Sequence, residues 1–170
     1  MNIFILIFLT FLILVLLYSI FLYFFLIKIN KLEEKIKKSF FYRSDNIPSL
    51  YEVTKNFLVK HNEVFENILK LRKIEFSQKS QDFDLFWILK NESLIHKELN
   101  FILKICKNNK ELIKNNKFLY TREIIIDNSY EIWNLIELYK NIVKKFNKLI
   151  FIKNLTLIWF LIPIYKKTEI

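Results

Sequence analysis

Residues 3–27, IFILIFLTFLILVLLYSIFLYFFLI, form an apolar run without a charge, a proline or a glycine. As an α-helix this run would be ~37 Å long, slightly more than the ~30 Å hydrocarbon core of a bilayer. A cleavable signal peptide would have a basic start, a shorter apolar core and a small-residue cleavage site, none of which occurs here. A helix of a soluble core is rarely apolar on all sides over this length. We therefore predict a transmembrane anchor over residues 1–27.

The charges on either side of the anchor predict its orientation. Only Met1 and Asn2 precede it, whereas the segment 28–43 contains six basic residues and two acidic ones. Because basic residues are retained on the cytoplasmic side, the N-terminus is expected outside and the remaining chain in the cytoplasm. The protein is thus predicted to cross the membrane once.

The absence of glycine from all 170 residues predicts the fold class. Glycine is the usual residue in hairpin turns, β-bulges and left-handed helix ends, so a β or α/β domain without it is not expected. We predict an all-α fold in which the transmembrane helix continues into an antiparallel bundle of three to four long helices. The expected division is an anchor over 1–27, a bundle over 28–150 and an apolar, aromatic tail over 151–170.

The net charge of +10 comes from 27 basic residues, which are nearly all lysines distributed along the whole chain. Proteins that grip phosphates often use arginine forks or tight basic clusters. A chain rich in isoleucine, lysine and asparagine instead fits A/T-rich codon usage. Nucleic acid is therefore disfavoured as a partner, and attraction to anionic lipid is kept as an alternative.

Apolar residues continue at helical spacing from the anchor to Phe40, so the anchor is expected to become the first helix of the bundle. Proline suits the first turn of a helix and restricts the residue before it. The segment 44–49, SDNIPS, therefore predicts one helix ending near Arg43 and another starting near Pro48. Whether this is a full turn or a kink in one long helix is left open by the pattern.

Further breaks in the pattern predict the remaining helices. A polar loop over 77–81 is expected to end the second helix, and pairs of asparagines at 108–109 and 115–116 bracket the next break. The third helix should begin near 82–84, and the fourth, with heptad-like spacing, near Phe118 or Thr121. The positions predicted to face the core are Ile29, Leu32, Ile36 and Phe40, then Leu50, Val53, Phe57, Leu58, Val64, Phe65, Ile68 and Leu71, then Ile88, Ile95, Leu99, Ile102 and Cys106, and finally Ile125, Ile132, Leu135, Tyr139, Ile142, Phe146 and Leu149.

The tail segment 155–165 is strongly apolar and precedes two lysines. It is too short to span a bilayer as a helix. It could pack over the end of the bundle, or lie in the membrane interface, where tryptophan and tyrosine are favoured. A third reading makes it a partial second membrane element.

Residues that could carry chemistry are few and scattered. Cys106 has no second cysteine to pair with and is interpreted as a small buried apolar residue. His61 falls on an apolar stripe, which favours a packed core histidine, and neither His61 nor His96 has the spacing of a metal site. The acids Asp82 and Asp84 suit a helix start.

No catalytic, cofactor-binding or metal-ligating residues are predicted from these patterns. Phosphate cradles need glycine-rich loops, which this chain lacks, and a Ser-His-Asp assignment from scattered residues would have no geometric basis. The expectation is a protein without a cofactor that is not an enzyme.

Three motifs, in order along the chain, resemble the LemA family. The segment 43–53, RSDNIPSLYEV, is similar to the family's arginine-x-aspartate-leucine-isoleucine-proline-asparagine-leucine-valine region, and KHNEV at 60–64 follows it. NKFL at 116–119 resembles the start of the family's last long helix, and YKNIVKKFN at 139–147 resembles its tyrosine-asparagine pattern. Two features depart from the family: its alanine-rich faces are replaced by isoleucine, phenylalanine and lysine, and its phenylalanine-proline appears here as Lys153-Asn154.

The resemblance implies an inner-membrane bacterial protein with a long helical bundle, no established enzymatic activity and no catalytic residues to carry over. The resulting hypothesis is a non-catalytic scaffold or interaction module. Its expected partners are the lipid bilayer, further proteins of the membrane or cytoplasm, and a second copy of the chain. The alternative is a membrane-tethered module that binds anionic lipid or nucleic acid through its lysines and the tail around Trp159.

Overall fold

The computed structural model describes residues 3–58, 63, 65–68, 85–155 and 164–167. Helix α1 comprises Ile3–Thr54, α2 comprises Leu85–Lys107 and α3 comprises Asn116–Leu155, with a short 3-10 helix at Leu112–Lys114. Residues 63 and 65–68 are also helical. Within these ranges no β-strand occurs, so the predicted all-α class is confirmed.

The chain divides into two compact units. Unit 1 comprises Met1–Glu34 and Glu137–Ile170, and unit 2 comprises Lys35–Ile136. Helix α1 has no break at residue 27 and α3 has none at residue 150. The predicted continuation of the anchor into the next helical segment therefore agrees with the bounds of α1.

In unit 1, the first part of α1 pairs with the last part of α3. Tyr18 Oη donates a hydrogen bond to the Leu149 carbonyl at 2.6 Å, and Tyr139 Oη donates one to Glu33 Oε1 at 3.3 Å. Because later residues of α1 meet earlier residues of α3, the two segments run antiparallel. The buried apolar residues of unit 1 are Leu22, Ile29, Leu32, Tyr139, Ile142, Val143, Phe146 and Ile150.

In unit 2, α1 and α3 are also antiparallel, as the hydrogen bond from Ser39 Oγ to Glu131 at 2.9 Å and the Lys117–Glu52 ion pair at 3.4 Å show. Helix α2 packs against both of them. The largest buried side chains of this core include Phe40, Phe65, Phe118, Ile36, Leu50, Leu58, Ile68 and Ile88.

Helix α1 continues through Pro48 to Thr54, so the predicted helix end near Arg43 does not occur, and of the two possibilities left open the single long helix agrees with the bounds of α1. An interior proline costs a helix about 3 kcal/mol, because it lacks an N–H and crowds the preceding turn. Ile47 and Leu50 lie on either side of it and are 2% and 0% exposed. Burying each contributes about 1.5–3 kcal/mol, enough to offset the proline.

The break occurs instead at residues 55–58. Phe57 N and Leu58 N both donate to the Thr54 carbonyl, at 2.9 and 3.1 Å, as the chain leaves the helix. Phe57 is 42% exposed, so the prediction that it faces the core is wrong. Leu58 is buried, as predicted. Val64, Leu71 and the predicted loop at 77–81 lie outside the described residues.

The predicted inner face of α2 is confirmed, since all five of its positions are buried. In α3 the predicted stripe is buried except for Leu135 and Leu149, which are half-buried.

Helix α3 begins at Asn116, slightly before the predicted start, because the Asn115 side chain accepts from the Phe118 N–H at 3.1 Å. Asn109 similarly accepts from two N–H groups ahead of the 3-10 helix. An asparagine side chain thus caps the start of α3, and a second one closes the turn before the 3-10 helix.

The end of the tail lies on the helices of unit 1. Lys153 Nζ donates to the Ile164 carbonyl at 2.6 Å, and Lys167 N donates to Asn147 Oδ1 at 3.0 Å. Lys167 Nζ also lies 3.2 Å from Glu33 Oε1. Residues 156–163, with Trp159, lie outside the described residues, so the readings of the tail stay predictions for that stretch.

Candidate functional site

A buried ion pair joins α1 to α2 in unit 2. The guanidinium of Arg43 faces the carboxylate of Glu92 side by side, with Nη2 2.6 Å from Oε2 and Nη1 2.7 Å from Oε1. The side chains are 1% and 3% exposed. Two parallel charge-assisted hydrogen bonds of this kind fix both distance and orientation.

Ser129 of α3 and the aromatic ring of Phe40 complete this site. Ser129 Oγ of α3 accepts from Arg43 Nη1 at 3.3 Å and donates to the Ile125 carbonyl at 2.7 Å. The ring of Phe40 lies 5.3 Å from the Arg43 guanidinium carbon, a distance suited to a cation–π contact. The pair therefore ties α1, α2 and α3 together at one level.

The chemistry of the Arg43–Glu92 site is structural in character. Both charges are already neutralised by each other, and a guanidinium does not lose its proton in proteins. Such a pair adds little net stability over apolar residues, and its best-attested use is to specify how helices align. We interpret Arg43 and Glu92 as positioning residues of the helix core.

The sequence contains a signal for the burial of each of these two charges, although not for their pairing. Glu92 lies between Ile88 and Ile95 at the spacing of the inner face of α2, where a lysine-rich chain rarely places a charge without a partner. Arg43 is one of only three arginines, with Arg72 and Arg122. A single glutamate on the apolar face of α2 and a rare arginine on the apolar face of α1 carry opposite charges, so each can neutralise the other when both are buried.

A cleft of about 290 Å³ lies between α2 and α3 in unit 2. The imidazole Nε2 of His96 is 2.8 Å from Asn100 Nδ2, and the His96 ring lies 6.2 Å from the Trp133 ring. Trp133 and Tyr130 are 53% and 70% exposed at its edge. Its lining contains no carboxylate and comprises His96, Leu99, Asn100, Leu103, Ile126, Ser129, Tyr130 and Trp133.

This cleft can receive an apolar or aromatic group, since aliphatic side chains form its floor and aromatic rings its edge. His96 has an amide partner, Asn100, and no acidic residue is among the residues that line the cleft. The structure thus places His96 in the lining of this cleft, beside the exposed ring of Trp133.

Of the other residues considered from the sequence, Cys106 lies within the described ranges. Burial raises the pKa of the Cys106 thiol to about 11, so the thiol stays protonated at neutral pH. Among the described residues no group of three His, Cys, Asp or Glu side chains could hold a metal ion. His61, Asp82 and Asp84 lie outside the described residues.

The first part of α1 carries a continuous exposed apolar surface. None of the side chains over residues 3–21 is buried, and Leu22 is the first buried residue of the helix. Its polar side chains bond to carbonyls of the protein: Thr10 to Ile7, Ser19 to Val15 and Tyr18 to Leu149. Within the described residues, α1 is long and apolar enough to cross a membrane.

Tyr139 and Glu33 form a polar contact in unit 1, beyond this apolar surface. Burial, and then the neighbouring Glu33 carboxylate, raises the pKa of Tyr139 well above its usual range. The phenol therefore remains a hydrogen-bond donor to Glu33 at neutral pH. This contact links α1 to α3.

Compared with protein-family models, curated proteins and solved structures, the chain matches none of them. The class that its described residues define is an all-α protein whose N-terminal helix is long and apolar enough to span a bilayer.

Proposed function

We propose that this chain is a LemA-like single-pass membrane protein whose helical domain is a non-catalytic scaffold or interaction module. The observation that carries the proposal is the uncharged surface of α1 over residues 3–21, on which no side chain is buried. Exposing apolar surface to water costs a free energy of about 25 cal/mol per Å². A bilayer covers such a helix on all sides, because lipid is apolar in every direction.

The core of unit 2 supports the scaffold part of the proposal. Arg43 belongs to the motif RSDNIPSLYEV that carries the LemA resemblance, and its side chain is used to hold helices together. The aromatic edge of the α2–α3 cleft, formed by Tyr130 and Trp133, offers a surface for a partner's apolar side chain. These residues suit binding, and none of them forms a nucleophile–base pair.

The proposed location is the inner membrane of a bacterial cell, with the N-terminus outside and the helical domain in the cytoplasm. The excess of lysine after the anchor supports this orientation. A reporter enzyme that works only in the cytoplasm should be active when it is fused after Ile170, and one that works only outside the membrane should be inactive there. Activity restricted to the outer side would contradict the orientation and leave the anchor untouched.

Membrane anchoring is tested by fractionation of the full chain. We expect it to stay in the membrane pellet through washes with high salt and alkaline carbonate, and to be released by mild detergent. Release by salt or carbonate would show peripheral attachment and overturn the anchor.

The scaffold role is tested by purification from membranes in mild detergent and identification of the proteins that accompany the chain. We expect a defined complex that Trp133→Ala weakens and that Tyr120→Ala, a change of another exposed aromatic residue, leaves intact. Recovery of the chain alone as a monomer would contradict the scaffold proposal.

A further inference from the structure

We propose that five lysines of unit 1 bind anionic phospholipid headgroups and that the end of α3 beyond them enters the same leaflet beside α1. The five lysines, here called the basic ring, are Lys28, Lys31, Lys144, Lys145 and Lys148, and all are exposed. This inference rests on the proposed function in one respect, since α1 must be inserted in a membrane.

The pairing of α1 with α3 sets the height of the basic ring. The Tyr18–Leu149 and Glu33–Tyr139 hydrogen bonds place residues 139–149 of α3 beside residues 18–33 of α1. The lysines at 144, 145 and 148 therefore lie beside the last part of the apolar run 3–27. If that whole run lay within hydrocarbon, three charged side chains would lie there too, which membranes strongly disfavour.

A shallower position removes this conflict. Residues 3–21 have no buried side chain, and at the helical rise they extend ~28 Å, close to the ~30 Å hydrocarbon thickness. Leu22, which is 0% exposed, begins the part of α1 that packs against protein. The hydrocarbon boundary thus falls near Leu22, and the long side chain of Lys148 reaches it by extending along the apolar surface.

The charge around this boundary has a single sign. The segments 22–32 of α1 and 138–155 of α3 contain no acidic residue. The nearest acid, Glu33, is occupied by Lys167 at 3.2 Å and by Tyr139. A surface of exposed lysines at headgroup height is complementary to anionic phosphates, which attract basic residues within a Debye length.

Beyond the basic ring, the exposed side chains at positions 151 and 152 of α3 are apolar. Phe151 and Ile152 are 54% and 51% exposed, whereas Lys153 is buried with its Nζ bonded to the Ile164 carbonyl. Lys166 Nζ lies 5.8 Å from the Phe151 ring, so Phe151 lies close beneath the headgroups, within reach of a long lysine side chain that extends toward them. The change from exposed lysine to exposed aromatic and aliphatic residues matches the change from headgroup to acyl chain.

The depth of α3 is tested on the full chain, reconstituted in phosphatidylcholine vesicles containing phosphatidylglycerol as the minor lipid. In a Cys106→Ala background, Phe151→Cys carries an environment-sensitive fluorophore, and lipids with brominated acyl chains act as quenchers. Leu9→Cys is the inserted control and Lys97→Cys the control in unit 2. We expect quenching at 151 and 9 and none at 97. Quenching at 9 alone overturns this inference and leaves the anchor in place, whereas no quenching at 9 overturns the anchor itself.

The headgroup preference is tested with the same probe at position 151. At equal mole fraction, brominated phosphatidylglycerol should quench at least about twofold more strongly than brominated phosphatidylcholine, and added salt should reduce the difference. The variant K144Q/K145Q/K148Q should lose this excess. The matched variant K97Q/K104Q/K107Q, which removes three exposed lysines of unit 2, should keep it. Equal quenching by the two lipids, or equal loss in both variants, would overturn the assignment of the basic ring.

Discussion

The two parts of α1 have the same backbone conformation and opposite surroundings. Over residues 3–21 the apolar side chains lie on every side of the helix, and none is buried. From Ile29 to Leu50 one face of the helix is almost completely buried, whereas Tyr42 on another face is 53% exposed; the buried apolar residues are Ile29, Leu32, Ile36, Phe40, Ile47 and Leu50. Conformation therefore does not distinguish them. The spacing of the apolar residues does, since lipid covers all sides of a helix and neighbouring helices cover one.

The polar groups of the two parts follow the same division. In the first part, the Thr10 and Ser19 hydroxyls bond to carbonyls of the preceding turn, which satisfies them without water. In the second part, Arg43 reaches 49 residues along the chain to Glu92. Polar groups facing lipid must find partners within their own helix, whereas those facing protein, which include Tyr18 at the end of the first part, can tie helices together.

The largest effect is expected from charges placed in the first part of α1. Leu9→Lys, Leu12→Lys and Leu16→Lys together should move the full chain out of the carbonate-resistant membrane fraction. Each lysine costs about 2.5–3.5 kcal/mol near the centre of a membrane helix. Tyr42→Lys is the control, because Tyr42 is 53% exposed in the second part. Retention of the triple variant in washed membranes would contradict a lipid environment for residues 3–21.

The next largest effect is expected at the buried ion pair of the second part. Arg43→Met leaves the Glu92 carboxylate buried without a partner, which typically costs about 3–5 kcal/mol. The free energy of unfolding of the full chain in detergent, from denaturant titration followed by circular dichroism, measures this loss.

Two further variants separate the pair from its surroundings. The double variant R43M/E92L should recover most of the loss, because apolar residues of similar volume often replace a buried pair at little cost. Breaking the exposed Lys117–Glu52 pair by Lys117→Ala should cost less than about 1 kcal/mol. A single Arg43→Met variant as stable as the wild type would show that the pair does not hold the helices.

The fold class and most of the inner faces could be predicted because they depend on local pattern. The positions Ile88, Ile95 and Leu99 follow the helical period, and burial follows from that period. The Arg43–Glu92 pair was missed because its partners are joined only by tertiary packing. No local pattern states which glutamate a given arginine will meet.

Burial of Cys106 in α2 predicts a pH dependence. The thiol has an ordinary pKa of 9.0, and burial raises its pKa to about 11 in the folded protein. As pH rises from about 9 to 11 the unfolded chain loses this proton first, so stability that is complete below pH 9 is lost over that interval. The loss is about 2–3 kcal/mol.

The Cys106→Ala variant isolates this contribution from the lysines and tyrosines that titrate in the same range. Its free energy of unfolding should start lower, because a buried side chain is shortened, and should fall less steeply between pH 9 and pH 11. Parallel curves for the two proteins would show that the thiol is accessible to water in the folded state.

The smallest effect concerns Pro48, where the sequence pattern left open a turn or one long helix and the structure has one long helix. The proline rule is local, and it was overruled here because Ile47 and Leu50 are buried on either side of the residue. Pro48→Ala restores an N–H and removes the ring from the preceding turn, but it also gives the unfolded chain more freedom. The net gain in the free energy of unfolding should therefore be about 1–2 kcal/mol. Ser49→Ala, the neighbouring control, should gain no more than about 0.5 kcal/mol from helix propensity alone. If Pro48→Ala instead destabilises the chain, then the proline shapes this part of α1, and burial of its neighbours is not what carries the helix through it.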